Sequence, residues 1–201
     1  MSRPGGRQDL WNERYSAPER VWSSRPNEHV EQIVSPFEAG TALDLGAGEG
    51  RHALWLAERG WTVTAVDFAE VGLARGQADA AERGLTDRID WVAADATTWT
   101  PAEGELFDLV LVAYLHLPED VLAAATSWVA PRGHLVVVGH ALRNLTDGTG
   151  GPQDPALLHS ADQLRQKAAG LEVLRCEEVE RTTDSGALAI DVVLVAARPR
   201  P

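Results

Sequence analysis

Cysteine is almost absent from this 201-residue chain. Cys176 is the only one, which excludes an intrachain disulfide and a cysteine-based zinc cluster. Long apolar runs are missing as well: the longest, 109–117 and 135–142, are far short of the roughly 18 residues that span a bilayer. Trp11 and the charged residues near it are untypical of a signal peptide. These absences predict a cytoplasmic protein with no membrane partner.

Basic residues are also few, with 18 Lys and Arg against 30 Asp and Glu and a formal net charge of -12. Proteins that bind nucleic acid normally neutralise its phosphates with Lys and Arg, so this balance disfavours nucleic acid as a partner. The 44% hydrophobic content suffices for one packed core, and the length corresponds to about one domain.

Two regions differ in pattern. Residues 1–40 are polar and rich in proline, without apolar periodicity, and are predicted to form an N-terminal capping segment. From residue 41 onward, short apolar runs alternate with helix-length segments, which is typical of βαβ units. The predicted main domain is therefore 41–201, within a single globular protein.

The predicted parallel strands are 41–45, 62–67, 89–94, 107–113 and 134–141, and the predicted helices are 51–59, 70–83, 118–128 and 161–169. The fourth and fifth strands are almost entirely apolar and should be central. Two further β-rich runs, 171–181 and 187–198, flank a glycine-containing hairpin loop. The predicted fold is α/β, with a seven-stranded, mostly parallel sheet, helices on both faces and an antiparallel C-terminal strand.

The first predicted strand leads into three alternate glycines, Gly46, Gly48 and Gly50, at the start of a helix. Glycine is favoured where the backbone turns sharply or closely approaches a ligand. The next strand ends at Asp67, whose carboxylate can accept hydrogen bonds from both hydroxyls of a ribose. Together these features predict a site for a ligand that contains a nucleoside.

The details of the loop indicate which nucleoside. A dinucleotide site has the pattern G-x-G-x-x-G, but here the third glycine comes one residue early and Arg51 follows it. Asp44 precedes the loop, where a carboxylate would repel a pyrophosphate and attract a cation. A cationic nucleoside without phosphate fits better than a nicotinamide dinucleotide, which remains the alternative.

The segment 43–50, Leu-Asp-Leu-Gly-Ala-Gly-Glu-Gly, resembles motif I of the class I methyltransferases that use S-adenosylmethionine. The similarity extends over about 41–197, because the segments 66–68, 94–96 and 107–110 resemble the next three landmarks in order. The resemblance implies a Rossmann-like fold and S-adenosylmethionine as cofactor. More loosely, the sequence is similar to the small bacterial branch that includes the tellurite-resistance and thiol methyltransferases.

The resemblance also implies site residues. Asp67 would hold the ribose, Asp95 would face the adenine amino group, and Asp44 would lie near the sulfonium; Asp95 also suits a helix N-cap, and both roles are compatible. Trp22 adds an aromatic face for the cation, although it fits an anchoring role equally well. The predicted cofactor-binding residues are Asp44, Gly46, Ala47, Gly48, Gly50, Arg51, Asp67, Phe68, Asp95, Ala96, Ala113 and Trp22.

The predicted activity is methyl transfer to a small-molecule acceptor through an oxygen, sulfur, nitrogen or metalloid nucleophile. His116 and His140 follow or end the fourth and fifth strands and are the candidate catalytic bases, with His116 preferred; each also fits a structural role. The region between His140 and His159 contains a long loop without predicted structure. This loop is interpreted either as a lid over the acceptor or as a mobile surface loop.

The sequence lacks motifs that are typical of other methyltransferase branches. Glu119 and Asp120 come one helix turn too late to match the metal-binding acids of the catechol-type branch, so no metal is predicted. The fourth strand is not followed by the proline-rich motif of nucleic-acid base methylases. Two other functions stay open, a nicotinamide-dependent oxidoreductase and a non-catalytic S-adenosylmethionine-binding module, as does the oligomeric state.

Overall fold

A computed structural model of the protein describes residues 6–21, 23–116, 119–183 and 185–200. The chain divides into two compact units, residues 1–100 and 101–201. Among the helices of the described residues, none is both long enough and apolar enough to cross a membrane. The division into a capping segment and a main domain at residue 40 stays a prediction.

The first unit contains three parallel strands with β2 in the middle, flanked by β1 and β3. Their registers align the carboxyl ends, because Leu45 pairs with Val66 and Asp67 pairs with Ala93. The ends of these strands therefore lie at one edge. The elements in chain order are α1 (Gly6–Tyr15), α2 (Glu28–Val34), β1 (Thr41–Leu45), α3 (Arg51–Glu58), β2 (Thr62–Asp67), α4 (Glu70–Glu82) and β3 (Ile89–Ala93).

The second unit contains a parallel pair, β4 and β5, followed by two antiparallel strands. His140, the last residue of β5, pairs with Asp191 on β7, so these residues come together at the carboxyl end of β5. The elements are β4 (Phe107–Ala113), α5 (Glu119–Ser127), β5 (Val129–His140), α6 (Asn144–Asp147), α7 (Ala161–Lys167), β6 (Glu172–Thr182) and β7 (Leu188–Ala197).

The seven strands follow the sheet order β3-β2-β1-β4-β5-β7-β6. This order confirms the predicted Rossmann-like α/β class with a mostly parallel sheet and antiparallel C-terminal strands. The predicted bounds of β1, β2 and β4 are also confirmed. These strands are easy to locate in the sequence because they are apolar and end at clear turn signals.

The start of β5 is a correction to the sequence analysis. The predicted strand begins at residue 134, but the observed strand begins at Val129 and runs through Pro131. Phe107 pairs with Val129 whereas Leu109 pairs with His134, so β5 bulges opposite β4. The bulge accommodates the proline and a positive φ of 69° at Arg132, which in sequence resemble a loop.

The N-terminal segment is also more regular than predicted, because it contains α1 and α2. Tertiary contacts hold α1: Gln8 Nε2 donates to the Phe68 carbonyl at 2.8 Å, and Asn12 Oδ1 accepts from the Val71 N–H at 3.2 Å. Leu10 is 62% exposed, so α1 has no continuous apolar face. Its helical structure therefore left no periodic signal in the sequence.

The region after β5 was predicted to be a structureless loop, and this was wrong. It contains α6 and a 3₁₀ turn at Pro155–Leu157. Asn144 is buried, accepts from the Ile190 N–H at 2.7 Å and donates to the Gly150 carbonyl at 2.9 Å. A single buried amide thus ties the region to β7, which residue spacing alone does not reveal.

Trp91 on β3 packs against two glycines. A Cβ atom at Gly50 would lie 2.3 Å from the Trp91 ring, and one at Gly76 of α4 would lie 2.4 Å from it. Real Cβ atoms do not approach this closely, so the ring fills the space that these glycines leave. The third glycine of the loop is thus required for packing.

Gly50→Ala should lower the free energy of unfolding by about 2–4 kcal/mol, because it combines a positive φ with overpacking against Trp91. Gly84→Ala is the matched control: φ is +68° and no atom lies within 4 Å of the added Cβ. The control should lose only about 1 kcal/mol. Equal losses in urea denaturation would contradict the packing role of Trp91.

Candidate functional site

The glycine loop joins β1 to α3 in the first unit. Gly46, Gly48 and Gly50 have φ values of 82°, 57° and 75°. The N–H groups of Gly46 and Ala47 donate to the Val66 carbonyl at 2.8 and 3.0 Å. The loop therefore turns away from β1 in a positive-φ conformation, which residues other than glycine rarely adopt.

Tyr15 at the end of α1 lies against this loop and is only 4% exposed. A Cβ atom at Gly48 would lie 2.5 Å from the Tyr15 hydroxyl, and one at Gly72 would lie 3.0 Å from its ring. The N-terminal helix thus places an aromatic side chain directly against the middle of the loop. Glycine at position 48 is required for this contact.

Asp44 is buried in β1 just before the loop, with 1% exposure. Its Oδ2 atom has no hydrogen-bond partner among the described residues. Burial raises the pKa of Asp44 to about 7, while Arg51 and the Ala53 N–H act to lower it and Asp67 raises it further. An ionised carboxylate here lacks full compensation, so the position favours a cationic ligand group.

Asp67 ends β2 and binds the loop through both carboxylate oxygens. Oδ2 accepts from the Gly48 N–H and Oδ1 accepts from the Ala69 N–H, each at 2.8 Å. Burial raises the pKa of Asp67, and the two hydrogen bonds counteract part of that effect. Each oxygen keeps a further lone pair for a hydroxyl donor. Asp67 therefore has a structural role in addition to the predicted ligand role.

Asp95 lies beside a cavity of about 210 Å³. Burial opposes its ionisation, but hydrogen bonds from the Thr97 N–H and hydroxyl and the charge of Arg7 outweigh burial and lower the pKa of Asp95. Asp95 was also predicted as a helix N-cap. It caps a turn, and no helix follows that turn. The cavity lining is Arg7, Gln8, Phe68, Glu70, Ala93, Ala94 and Asp95.

The structure brings most predicted cofactor residues to the carboxyl ends of β1, β2 and β3. Arg51 opens α3, and Ala96 is buried just after Asp95. Ala113 belongs to the second unit, where it ends β4 and is buried. Trp22 lies outside the described residues. These ligand roles stay predictions.

A second group of polar side chains lies in the second unit, around Asp191. Asp191 is fully buried, and its Oδ2 accepts from Tyr114 Oη at 2.6 Å and from Arg181 Nε at 2.7 Å. His140 Nδ1 approaches Asp191 Oδ1 obliquely at 3.2 Å. Burial raises the pKa of Asp191, but hydrogen bonds from His140, Arg181 and Tyr114 dominate and lower it to about 2.

Tyr114 reaches Asp191 from an unusual backbone conformation. Its φ is 55°, in the left-handed region that costs a residue other than glycine about 1–3 kcal/mol. The Tyr114 N–H donates to the Val138 carbonyl at 2.7 Å, and the hydroxyl donates to Asp191. Such strain is typical of functional sites that the surrounding structure over-determines.

His116 lies next to His140, with ring centroids 6.0 Å apart and planes inclined by 9°. Its Nδ1 atom lies 3.1 Å from the Leu157 carbonyl, which fixes Nδ1 as a donor. Burial lowers the pKa of His116, the Leu157 carbonyl raises it, and His140 lowers it further. The two predicted base candidates therefore come together, each with a different partner.

The sequence analysis missed Tyr114, Arg181 and Asp191 as members of this group. Asp191 gave a usable signal, since it is the only charged residue of the otherwise apolar β7. Arg181 gave none, because β6 is rich in charges along its length. The cavity residues Arg7 and Gln8 were also missed, because they lie in a segment without a periodic pattern.

Comparisons with known proteins agree with this architecture. Residues 42–133 match the family model of the methyltransferase domain. A 2-heptyl-1-hydroxyquinolin-4(1H)-one methyltransferase from Mycobacteroides abscessus is 32% identical over 112 residues, covering 51% of this chain and 49% of that protein. The chain spans 49%, 42% and 39% of three curated relatives it matches, about half their length or less.

Two solved structures share the fold. The N-methyltransferase NodS from Bradyrhizobium japonicum, in complex with S-adenosylhomocysteine, has a TM-score of 0.71 at 18% identity, covering 96% of this chain and 99% of that one. TehB from Haemophilus influenzae has a TM-score of 0.72 at 16% identity, covering 95% and 66%. Residues 42–133 thus carry a methyltransferase domain, and the chain has the class I fold of the S-adenosylmethionine-dependent methyltransferases. The class that the sequence resembles is confirmed.

The residues of the first unit fit this family's cofactor. The unpartnered Oδ2 of Asp44 suits a cationic group, and the lone pairs of Asp67 suit two hydroxyls. The cavity is lined by the aromatic residue Phe68 and the hydrogen-bond acceptor Asp95, a pair that suits an adenine with its amino group. When bound, the cofactor would supply an electrophilic methyl group.

The folded pKa of Asp44, about 7, exceeds its reference value of 3.8, so ionising this group destabilises the fold progressively as pH rises between these values. Asp44→Asn removes that cost. Relative to the wild type, its free energy of unfolding should rise by on the order of 3 kcal/mol from about pH 4.5 to about pH 8. Asp90→Asn on β3, at an exposed position, is the control, and an equal rise in both variants would contradict the assignment.

Proposed function

We propose that the protein transfers a methyl group from S-adenosylmethionine to a small-molecule acceptor. The observation that carries the proposal is the buried Asp44 carboxylate, whose Oδ2 atom has no partner among the described residues and lies just before a methyltransferase-type glycine loop. Such a position attracts a cation and repels a phosphate. S-adenosylmethionine is a cationic nucleoside without phosphate, so it suits this position.

The names of the relatives favour a small organic acceptor. They refer to a hydroxyquinolinone, to ubiquinone biosynthesis and to trans-aconitate. A more distant relative is named as a tRNA adenine methyltransferase, but the net charge of -12 makes a nucleic-acid acceptor electrostatically unfavourable. The acceptor would therefore present an oxygen, sulfur, nitrogen or metalloid nucleophile on a small molecule.

For methyl transfer, the chain's main task is to hold acceptor and donor in line, since the donor already carries the reactive group. A base is needed only when the acceptor must lose a proton. His116 and His140 lie where strands β4 and β5 end, and ligands of such sheets bind beyond the carboxyl ends of the strands. Both histidines are suited to accept such a proton.

Two other functions remain as outcomes of the test. A nicotinamide-dependent oxidoreductase would need a pyrophosphate on the glycine loop, next to the Asp44 carboxylate. A non-catalytic module would bind S-adenosylmethionine without turnover. Titration calorimetry with S-adenosylhomocysteine and with NAD separates the first from a methyltransferase, and tighter binding of NAD would contradict the proposal.

Turnover is tested by the release of S-adenosylhomocysteine in the presence of phenols, thiols, amines and metalloid oxyanions. We expect release with at least one of these classes. Binding of S-adenosylhomocysteine without release in any of them would favour the non-catalytic module. The panel also identifies the acceptor atom.

Asp67→Ala should weaken the binding of S-adenosylhomocysteine by about 1.5–3 kcal/mol, because it removes charged acceptors from the ribose hydroxyls. It should also lower stability, since Asp67 accepts two backbone N–H groups. Asp90→Ala, at an exposed position on β3, is the control for both readouts. Unchanged affinity in a folded Asp67→Ala protein would contradict the ribose assignment.

A further inference from the structure

The group around Asp191 lies at the carboxyl end of β5, the end of a strand beyond which ligands of such sheets bind. Burying its charged side chains costs desolvation free energy. A fully buried carboxylate is retained in a fold only when hydrogen bonds and charge compensate it. Asp191 has Tyr114, Arg181 and His140 around it. Arg181 and Tyr114 donate to Oδ2, whereas Oδ1 lies 3.2 Å from His140 Nδ1 without the alignment of a hydrogen bond. The arrangement therefore holds one particular imidazole.

Building on the methyl transfer proposed above, we propose that His140 is its catalytic base, that Asp191 is the positioning residue of His140, and that the acceptor is a neutral hydroxyl on an aromatic or enolic carbon.

Asp191 selects the tautomer of His140. A carboxylate 3.2 Å from Nδ1 favours a proton on that nitrogen, which leaves the lone pair on Nε2. In the proposed step the acceptor O–H bond breaks, its electron pair stays on the oxygen, and the proton binds Nε2. His140 then carries a positive charge, which the Asp191 carboxylate stabilises. The oxygen anion would then form the bond to the methyl carbon while the carbon–sulfur bond breaks, and the sulfur would keep that electron pair.

Arg181 and Tyr114 share the Asp191 carboxylate with this base. Among the described residues, Asp191 on β7, Tyr114 after β4 and His116 face the His140 side chain. Arg181 on β6 and Tyr114 both donate to Oδ2 of Asp191, so the carboxylate charge is divided between these donors and the imidazole.

A proton acceptor matters most when the methyl acceptor is a hydroxyl. A phenol, with a pKa of about 10, is almost fully protonated near neutral pH, whereas a thiol ionises far more readily and an amine can present a lone pair. A dyad that accepts a proton is therefore suited to a hydroxyl. The His140 side chain is only 14% exposed, which restricts its partner to a small or flat edge.

His116 is the weaker candidate, although the sequence favours it. Its Nδ1 atom faces the neutral carbonyl of Leu157, whereas Nδ1 of His140 faces the Asp191 carboxylate. The geometry thus points to His140 instead. Because the two rings lie 6.0 Å apart at the same edge, His116→Ala is a close control for His140→Ala.

The first test compares a phenol with the matching thiophenol in the S-adenosylhomocysteine release assay, at a pH where the thiophenol is ionised. His140→Ala should lower kcat for the phenol by about 10²–10⁴-fold and for the thiophenol by less than about 3-fold. His116→Ala should lower kcat for the phenol less than His140→Ala does. Equal losses for the two probes, a larger loss in His116→Ala, or a wild type that accepts the thiophenol but not the phenol would overturn the proposal.

A second test needs no turnover. In protein labelled with ¹⁵N-histidine and free of ligand, His140 should carry its proton on Nδ1, and Asp191→Asn should abolish that preference. S-adenosylhomocysteine should bind Asp191→Asn within about twofold of the wild-type affinity, because Asp191 is not among the predicted cofactor-binding residues. A proton on Nε2 in the wild type would overturn the inference, whereas failure of the wild type to bind the nucleoside would instead overturn the proposed function.

Two adjacent glycines provide a test that keeps every charged group. Gly150 and Gly151 both have φ of +74°, but a Cβ at Gly150 meets no atom within 4 Å, whereas one at Gly151 would lie 2.5 Å from Cδ2 of His140. Gly151→Ala should therefore displace the imidazole and lower kcat for the phenol by about tenfold to hundredfold. Gly150→Ala has the same backbone strain and should retain activity. Equal activities in the two variants would contradict a positioned His140.

Discussion

Removal of carboxylates from water is the constraint on which this structure depends. An ionised carboxylate in the protein interior is stable only when hydrogen bonds or an opposite charge replace its hydration. Asp44 does not meet that condition within the described residues: its Oδ2 atom has no hydrogen-bond partner, and its pKa rises to about 7. An ionised Asp44 thus carries an electrostatic cost that a bound cation would relieve.

Asp191 resolves the same constraint in the opposite way. Tyr114 and Arg181 donate to it, His140 lies beside it, and its pKa falls to about 2. Burial raises the pKa of both aspartates, but the donors around Asp191 outweigh that effect and Asp44 lacks such donors among the described residues. Asp44 is suited to bind a cation from outside the chain, and Asp191 is suited to orient a neighbouring side chain permanently.

The sequence predicted those parts of the fold that local patterns encode. Strands β1, β2 and β4 are apolar runs with sharp ends, and the glycine triplet with Asp67 marks the start of the family's site. The missed features depend on contacts between distant residues. Gln8 and Asn12 hold α1 in place, Asn144 ties the region after β5 to β7, and Arg181 meets Asp191 across two strands. None of these side chains leaves a periodic signal.

The choice between His116 and His140 as the base also depends on contacts between residues that are distant in the sequence. In sequence, both His116 and His140 lie at the ends of apolar strands, and the prediction prefers His116. The partners that distinguish them are a carbonyl 41 residues away and a carboxylate on an antiparallel strand. Strand register places His140 opposite that carboxylate, Asp191. Register is set by hydrophobic alternation and turn geometry over the whole hairpin.

The central claim, that Asp44 is a buried carboxylate kept for a cationic nucleoside, is tested most directly by a ¹³C NMR titration of its carboxyl group. In the ligand-free protein the group should titrate near pH 7. Saturation with S-adenosylmethionine, whose sulfonium supplies the missing charge, should lower that midpoint by at least about one pH unit. A midpoint that saturation leaves unchanged would contradict the account.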